Sequence, residues 1–192
     1  WGRGTYWKWI CWLSRQSRAA KPTSGKLSFA CAKFYIALDG DDQTFEAGIQ
    51  IERALLASAP ADEDPAHGGV RTQDDWDFYN LLRGMRKGSP IYEFIARLVG
   101  RDGFTVRTGP FSQMIESRGS KPPPAARLKR SLQSIPPDEW GGFQVCYVFR
   151  RQDLIGMSGD DIIQTILSIF HELAPLMNRL MPTPSLKLDS PD

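Results

Sequence analysis

The chain has 192 residues, of which 41% are hydrophobic and 24% are charged, and its formal net charge is +2. This length is enough for one domain with a substantial core, and the composition is that of a globular protein. No stretch approaches the roughly 18 apolar residues of a membrane helix, so we expect no membrane partner. We therefore expect a single domain over residues 1–181, followed by a flexible tail over residues 182–192.

Charges are unevenly distributed along the chain. Residues 1–38 contain seven bases and no acid, whereas residues 39–65 contain eight acids and one base. Neutralisation between neighbouring segments of a folded surface accounts for this pattern, and an anion-binding face is the alternative. The three cysteines, Cys11, Cys31 and Cys146, are widely spaced among apolar neighbours. We interpret them as reduced core thiols, which favours a cytoplasmic protein.

The N-terminal stretch W-G-R-G-T-Y-W-K-W-I-C-W-L contains four of the six tryptophans. Its alternation predicts a strand, although so short an apolar run also fits a helix. Aromatic rings interleaved with bases can stack on nucleobases while the cations contact phosphates. Packing of the same rings in the core is the alternative.

The stretch from Lys33 to Arg53 is predicted to be the central β-hairpin of the domain. Gly40, Asp41 and Asp42 supply the turn between its two alternating runs. The first run is apolar on both parities, which predicts a strand that is covered on both faces. In the second run we expect one row to be buried and one exposed. The buried row is Phe45, Ala47, Ile49 and Ile51, and the exposed row is Glu46, Gln50 and Glu52.

A Pro-, Gly- and acid-rich linker follows the hairpin and should be exposed. Apolar spacing then predicts a helix over residues 74–87. Gly88 ends it, and Ser89 and Pro90 are suited to cap and begin a second helix, which ends at Gly100.

The second half of the chain alternates between strand and helix signals. F-T-V-R-T after Gly103 predicts a strand, residues 109–127 read as irregular, and A-R-L-K-R-S-L predicts a short exposed helix or a strand edge. Residues 142–150 form a second strongly β-like run. A long amphipathic helix then begins after Ser158, which with Asp161 forms an acidic capping box. Pro175 should kink or divide this helix.

These elements predict an α+β fold, in which an antiparallel sheet around the hairpin is packed on one side by the helical pair and the C-terminal helix. The stretch F-Y-I-A-L-D-G-D-D-Q-T-F-E-A-G-I-Q-I, the segment L-K-R, the strand over residues 143–149 and A-P-L in the last helix carry a resemblance. From about Phe29 to Leu180 the chain resembles bacterial conserved-hypothetical proteins of unknown function, which pair an aromatic hairpin with a closing amphipathic helix. The resemblance implies this topology and no particular activity.

Catalytic motifs are missing from the sequence. Two histidines, His67 and His171, and no paired cysteines rule out a zinc site of the usual spacing, and we expect no metal or other cofactor. Phosphate-binding glycine loops and the hydrolase nucleophile elbow are also absent. One enzymatic hypothesis is a metal-dependent nuclease that uses Asp39, Glu46 and Glu52. The lysine expected two residues after the second-strand acid is missing.

We therefore expect a non-enzymatic interaction module with an unknown protein partner. The alternative is a nucleic-acid-associated protein, for which the sequence offers an aromatic and basic N-terminal segment and a basic patch. The N-terminal candidates are Trp7, Lys8, Trp9, Trp12, Arg15 and Arg18, and the patch candidates are Arg127, Lys129, Arg130, Arg150 and Arg151.

Overall fold

The structure is a computed structural model that describes residues 7–19, 31–53, 77–136 and 139–181. Its strands are β1 (Trp7–Leu13), β2 (Lys33–Asp39), β3 (Thr44–Arg53), β4 (Thr105–Pro110), β5 (Ile115–Ser117) and β6 (Gly141–Arg150). Its helices are α1 (Arg15–Ala19), α2 (Asp77–Gly84), α3 (Pro90–Gly100), α4 (Ala125–Gln133), α5 (Arg151–Leu154) and α6 (Gly159–Leu180). The predicted linker after residue 53 and the predicted tail over residues 182–192 lie outside the described residues.

All six strands form one antiparallel sheet in the order β1-β2-β3-β6-β4-β5. The predicted hairpin is confirmed, with β2 paired to β3 from Lys33 opposite Gln50 to Asp39 opposite Thr44. The Asp39 carboxylate accepts hydrogen bonds from the backbone N–H groups of Asp41 and Asp42 at 2.9 and 3.1 Å, which fixes the turn. The predicted α+β class and antiparallel sheet are therefore confirmed.

Helices α2, α3 and α6 pack on one face of this sheet, as predicted, and enclose the main core. Phe78, Leu81 and Met85 are buried in this layer. The Ser89 hydroxyl accepts a hydrogen bond from the Tyr92 N–H at 3.1 Å and caps α3. Among the described residues, no helix combines the length with the apolar character that crossing a bilayer demands.

The prediction that one row of β3 faces solvent is wrong. Glu46, Gln50 and Glu52 are only 8%, 5% and 4% exposed, so β3 is buried on both faces. The physical reason is that β3 lies between β2 and β6. Its two carboxylates pair with bases of β2 and β4, and Gln50 accepts a hydrogen bond from Gln144 of β6. Alternating polarity in this strand marks a second, polar interior rather than a solvated face.

Strand β5 differs from the sequence-based expectation, whereas α4 and α6 decide between alternatives that the sequence left open. The stretch predicted to be irregular contains the short strand β5, and the basic segment that could have been helix or strand edge is helix α4. Helix α6 is one helix of 22 residues with Pro175 inside it, so the proline does not divide it. Buried Ala174 and Leu176 flank Pro175 and hold the helix against the core on both sides of it.

Candidate functional site

The sheet face opposite the helices carries a line of polar side chains that we call the polar row. All of its members except Arg107 are at least nine-tenths buried. The row consists of Lys33, Tyr35, Glu46, Gln50, Glu52, Arg107, Gln144 and Cys146. Buried titratable groups in such numbers occur both in functional sites and in structural ion-pair networks. The contacts of each side chain decide between these two interpretations.

One half of the polar row is built on the Lys33–Glu52 ion pair. Lys33 Nζ lies 2.9 Å from Glu52 Oε1, and the Gln50 amide donates to the same oxygen. Gln144 Nε2 in turn donates to Gln50 Oε1 at 2.8 Å. Glu52 Oε2 is buried and accepts no hydrogen bond within the described residues. Burial raises the pKa of the Glu52 carboxyl, and Lys33 and Gln50 offset part of that rise.

The other half is built on Arg107, which binds two carboxylates. Its two terminal nitrogens lie 2.8 and 2.7 Å from the two oxygens of Glu46, and its Nε lies 2.8 Å from Glu116 Oε2. Burial alone would lower the pKa of the Arg107 guanidinium, but the hydrogen bonds that it donates to Glu46 and Glu116 raise it above its ordinary value. The group is therefore a permanent cation held in a bidentate geometry.

A cleft of about 290 Å³ opens beside the Arg107–Glu46 pair. Its polar lining consists of Asp39, Asp42, Glu46, Arg107, Glu116 and Gln144. Arg107 is the one base among these described residues, so the cleft is acidic. Within the described residues, no group of three or more His, Cys, Asp or Glu side chains is arranged to hold a metal ion. Asp39 is already engaged in the hairpin turn.

Tyr35 and Cys146 lie side by side in the polar row and are fully buried. The Tyr35 hydroxyl donates to Glu46 Oε2 at 3.4 Å. Burial, with the charge of Glu46, raises the pKa of the Cys146 thiol to about 12 and that of the Tyr35 phenol well above its usual value. Both groups are therefore protonated at neutral pH and are not nucleophiles.

We expect Cys146 to resist alkylation by iodoacetamide in the folded protein at neutral pH. The thiolate is the reactive form, and a pKa near 12 leaves almost none of it. Peptide mass spectrometry after timed labelling should find modified Cys146 only in denaturant. Labelling of Cys146 at equal rates in native and denatured protein would contradict this assignment.

The structure does not bring together all three carboxylates of the nuclease hypothesis, because Asp39 and Glu46 line the same cleft but Glu52 does not. Glu46 and Glu52 are six residues apart on β3, roughly 20 Å at about 3.3 Å per residue. Glu46 is bound to Arg107 and Glu52 to Lys33. A metal site requires carboxylates that converge on the ion, whereas Glu46 and Glu52 bind separate cations and Asp39 accepts hydrogen bonds from the hairpin turn.

The N-terminal residues predicted for nucleic-acid binding are divided between the two faces of the sheet. Trp9 belongs to the polar-row side, where its ring centroid lies 5.3 Å from Lys33 Nζ. Trp12 belongs to the helix side, where its ring packs edge-on against Phe170 with centroids 5.8 Å apart. Arg15 is exposed on α1. The side chains of Trp7, Lys8 and Arg18 lie outside the described part of the structure.

The predicted basic patch is likewise two separate groups. Arg127, Lys129 and Arg130 lie on α4, and the segment after α4 packs against the start of β6. Arg150 and Arg151 lie at the other end of β6, roughly 30 Å away at about 3.3 Å per residue. All of these bases except half-buried Lys129 are exposed.

Exposed apolar side chains form a surface that sequence reasoning missed. The described residues include seven exposed large hydrophobic side chains, and five of them lie along β1, β2 and α6. These five, which we call the apolar surface, are Ile10, Trp12, Leu38, Ile163 and Leu167. A broad arc of apolar residues on α6 was visible in the sequence, but not which part of it the sheet covers.

Strand pairing and helical spacing relate four members of the apolar surface to one another, and Leu38 is on the same face of the sheet because its partner Phe45 lies in the core. Ile10 and Trp12 pair with Ile36 and Phe34, which pack against the core on the helix side. Ile163 and Leu167 precede Phe170 by seven and three residues, a spacing that places them on one side of α6. Phe170 stacks on Phe34 at 4.7 Å and contacts Trp12, so it connects the strands with the helix.

Comparisons with protein-family models, with curated proteins and with solved structures found no match.

Proposed function

We propose that this domain is a non-enzymatic interaction module and that its partner is a second copy of the same chain. The observation that carries the proposal is the apolar surface beside the outermost strand β1. Exposed apolar patches of this kind are typical of protein–protein interfaces, which are enriched in tryptophan and other large hydrophobic side chains. Trp12 and Ile10 are 48% and 56% exposed at the edge of the sheet.

Strand β1 is a template for pairing. It is the outermost strand of the sheet, and within the described residues no strand pairs with its outer edge. Two such edges related by a two-fold axis can pair antiparallel and extend the sheet across both copies. An axis at Ile10, the midpoint of β1, pairs all seven residues of the strand and sets Ile10 opposite Ile10 of the second copy.

The position of the charged residue in β1 is compatible with an axis at Ile10. Lys8 is the one charged residue in the strand. With the axis at Ile10, Lys8 stands opposite Trp12 of the second copy rather than opposite another lysine. Like charges directly opposite one another destabilise a strand pair, and this arrangement avoids them.

The polar row supports a binding role rather than a catalytic one. Its carboxylates are engaged by Lys33 and Arg107, and its thiol and phenol are protonated at neutral pH. The three cysteines, all within described residues, form no disulfide. Reduced thiols support a cytoplasmic setting as part of the same proposal.

Replacing Ile10 by lysine is expected to weaken self-association about 100-fold or more. Both copies carry the change, so two ammonium groups face each other at the axis and an apolar contact is lost. Size-exclusion chromatography with light scattering measures the effect. The matched control is Ile155→Lys, because Ile155 is 72% exposed and lies outside the apolar surface.

The two variants decide the proposal together. A dimer that is lost in Ile10→Lys and kept in Ile155→Lys supports it. A wild-type chain that stays monomeric at high concentration overturns it, as does a dimer that both variants weaken equally. Circular dichroism of each variant separates loss of association from loss of folding.

A further inference from the structure

Helix α4 and the loop before it form a strongly basic part of the surface. Residues 117–136 contain five bases and no acid. Arg101, at the end of α3, is exposed beside this segment, since a side chain at Gly100 would lie 3.2 Å from Pro122 Cδ. We call these residues the basic surface: Arg101, Arg118, Lys121, Arg127, Lys129 and Arg130.

The cations of the basic surface are largely uncompensated. Within the described residues, the one carboxylate recorded close to any of them is Glu116, whose Oε1 lies 3.6 Å from Arg118 Nε. Arg127 and Arg130 are exposed on α4, and Arg130 otherwise contacts the Ala126 carbonyl at 3.4 Å. Clustered bases with so few acidic partners raise the local concentration of polyanions.

The basic surface stands on a rigid support. Leu128 and Leu132 of α4 are buried in the core, which fixes the outward direction of the intervening bases. The preceding loop contains three consecutive prolines, and the Tyr92 hydroxyl donates to the Pro123 carbonyl at 3.3 Å. The backbone that carries the bases is therefore ordered before a ligand binds, and only their side chains lose conformational freedom on binding.

The chemistry of the basic surface favours a duplex over a single strand. Its six members are all bases, and Tyr92, whose ring lies beside the loop, is half-buried and so presents little surface on which an unpaired base could stack. Binding must then come from phosphate contacts, and a duplex carries the higher density of phosphate charge along its axis.

We propose that the basic surface binds the phosphate backbone of double-stranded nucleic acid without reading its sequence. This site differs from the aromatic N-terminal segment and does not depend on self-association through β1. Arg127 and Arg130, three residues apart on the exposed side of α4, are its centre. Arg101, Arg118, Lys121 and Lys129 extend it on either side.

The experiment is a fluorescence-anisotropy titration of the full chain with a labelled DNA duplex at several salt concentrations. Wild-type affinity should fall with salt, with a logarithmic slope of about −0.9 for each phosphate contact. Arg127→Gln/Arg130→Gln should weaken binding at low salt and make the slope shallower by about 2, because two contacts are lost. Glutamine keeps the helix propensity of arginine.

The matched control is Arg86→Gln/Lys87→Gln, which removes the same number of charges from two exposed bases in the turn before α3, at the opposite end of that helix from Arg101. This control should bind as the wild type does. Equal losses in both variants would overturn the proposal, because they would indicate an effect of net charge alone. Tighter binding of the isolated single strand, binding of anionic vesicles without binding of duplex, or no duplex binding at low salt would also overturn it.

Discussion

Replacing Lys33 by methionine should destabilise the folded domain by about 3–5 kcal/mol at neutral pH, the cost typical of removing one partner from a buried ion pair. Lys33 is fully buried and Glu52 is 4% exposed. Without the ammonium group, Glu52 keeps only the amide of Gln50 among the contacts described above. Denaturant unfolding of both proteins at neutral pH measures the loss.

The loss in Lys33→Met should shrink as the pH falls. Burial already raises the pKa of Glu52, and removal of Lys33 raises it further. A carboxyl with a higher pKa in the folded state stabilises the fold fully below its unfolded pKa, and this contribution is lost as the pH rises through the folded pKa. The difference between wild type and variant should therefore be smallest near the ordinary pKa of glutamate.

A double variant tests whether the charge of Glu52 causes the loss. Lys33→Met/Glu52→Gln removes both charges and should be more stable at neutral pH than Lys33→Met alone. A double variant that loses the sum of the two single losses, or a Lys33→Met loss that does not change with pH, would contradict the ion-pair account.

Gly48→Ala should be the second most damaging change, with a loss of about 3 kcal/mol or failure to fold. A β-carbon at position 48 would lie 2.3 Å from the Val145 carbonyl oxygen and 2.6 Å from Cys146 Cβ. The obstacle is largely the backbone of β6, which cannot move without separating the two central strands. Thermal unfolding monitored by circular dichroism measures the effect.

The same substitution at Gly159 provides the control. A β-carbon there would meet nothing within 4 Å, and the residue begins helix α6. Gly159→Ala should therefore leave stability unchanged or raise it slightly. Equal losses at positions 48 and 159 would mean that close contact between β3 and β6 is not the reason for the glycine.

Local signals in the sequence were sufficient for much of the fold. These signals act within a few residues of chain: the turn residues after Asp39, the Ser89–Pro90 pair and the Ser158 capping box. The hairpin, α3 and α6 formed where these signals predicted them. Strand β5 was missed because it has only three residues. Three residues are too few to show a periodicity, and within the described residues β5 pairs with β4 alone.

The polar row could not be predicted because its partners are distant in sequence. Lys33 and Glu52 are 19 residues apart and Glu46 and Arg107 are 61 apart, so alternation alone assigned these carboxylates to solvent. The apolar surface was hidden for a related reason. Periodicity identifies the apolar residues of α6, but only the position of the sheet decides that Ile163 and Leu167 stay exposed.

Sedimentation equilibrium of the 192-residue chain over a range of protein concentrations is the most direct test of self-association through β1. The account predicts a mass that rises from the 21.6 kDa of one chain toward twice that value, and an Ile10→Lys variant that remains at the single-chain mass. A wild-type mass that stays at 21.6 kDa at every concentration would contradict it.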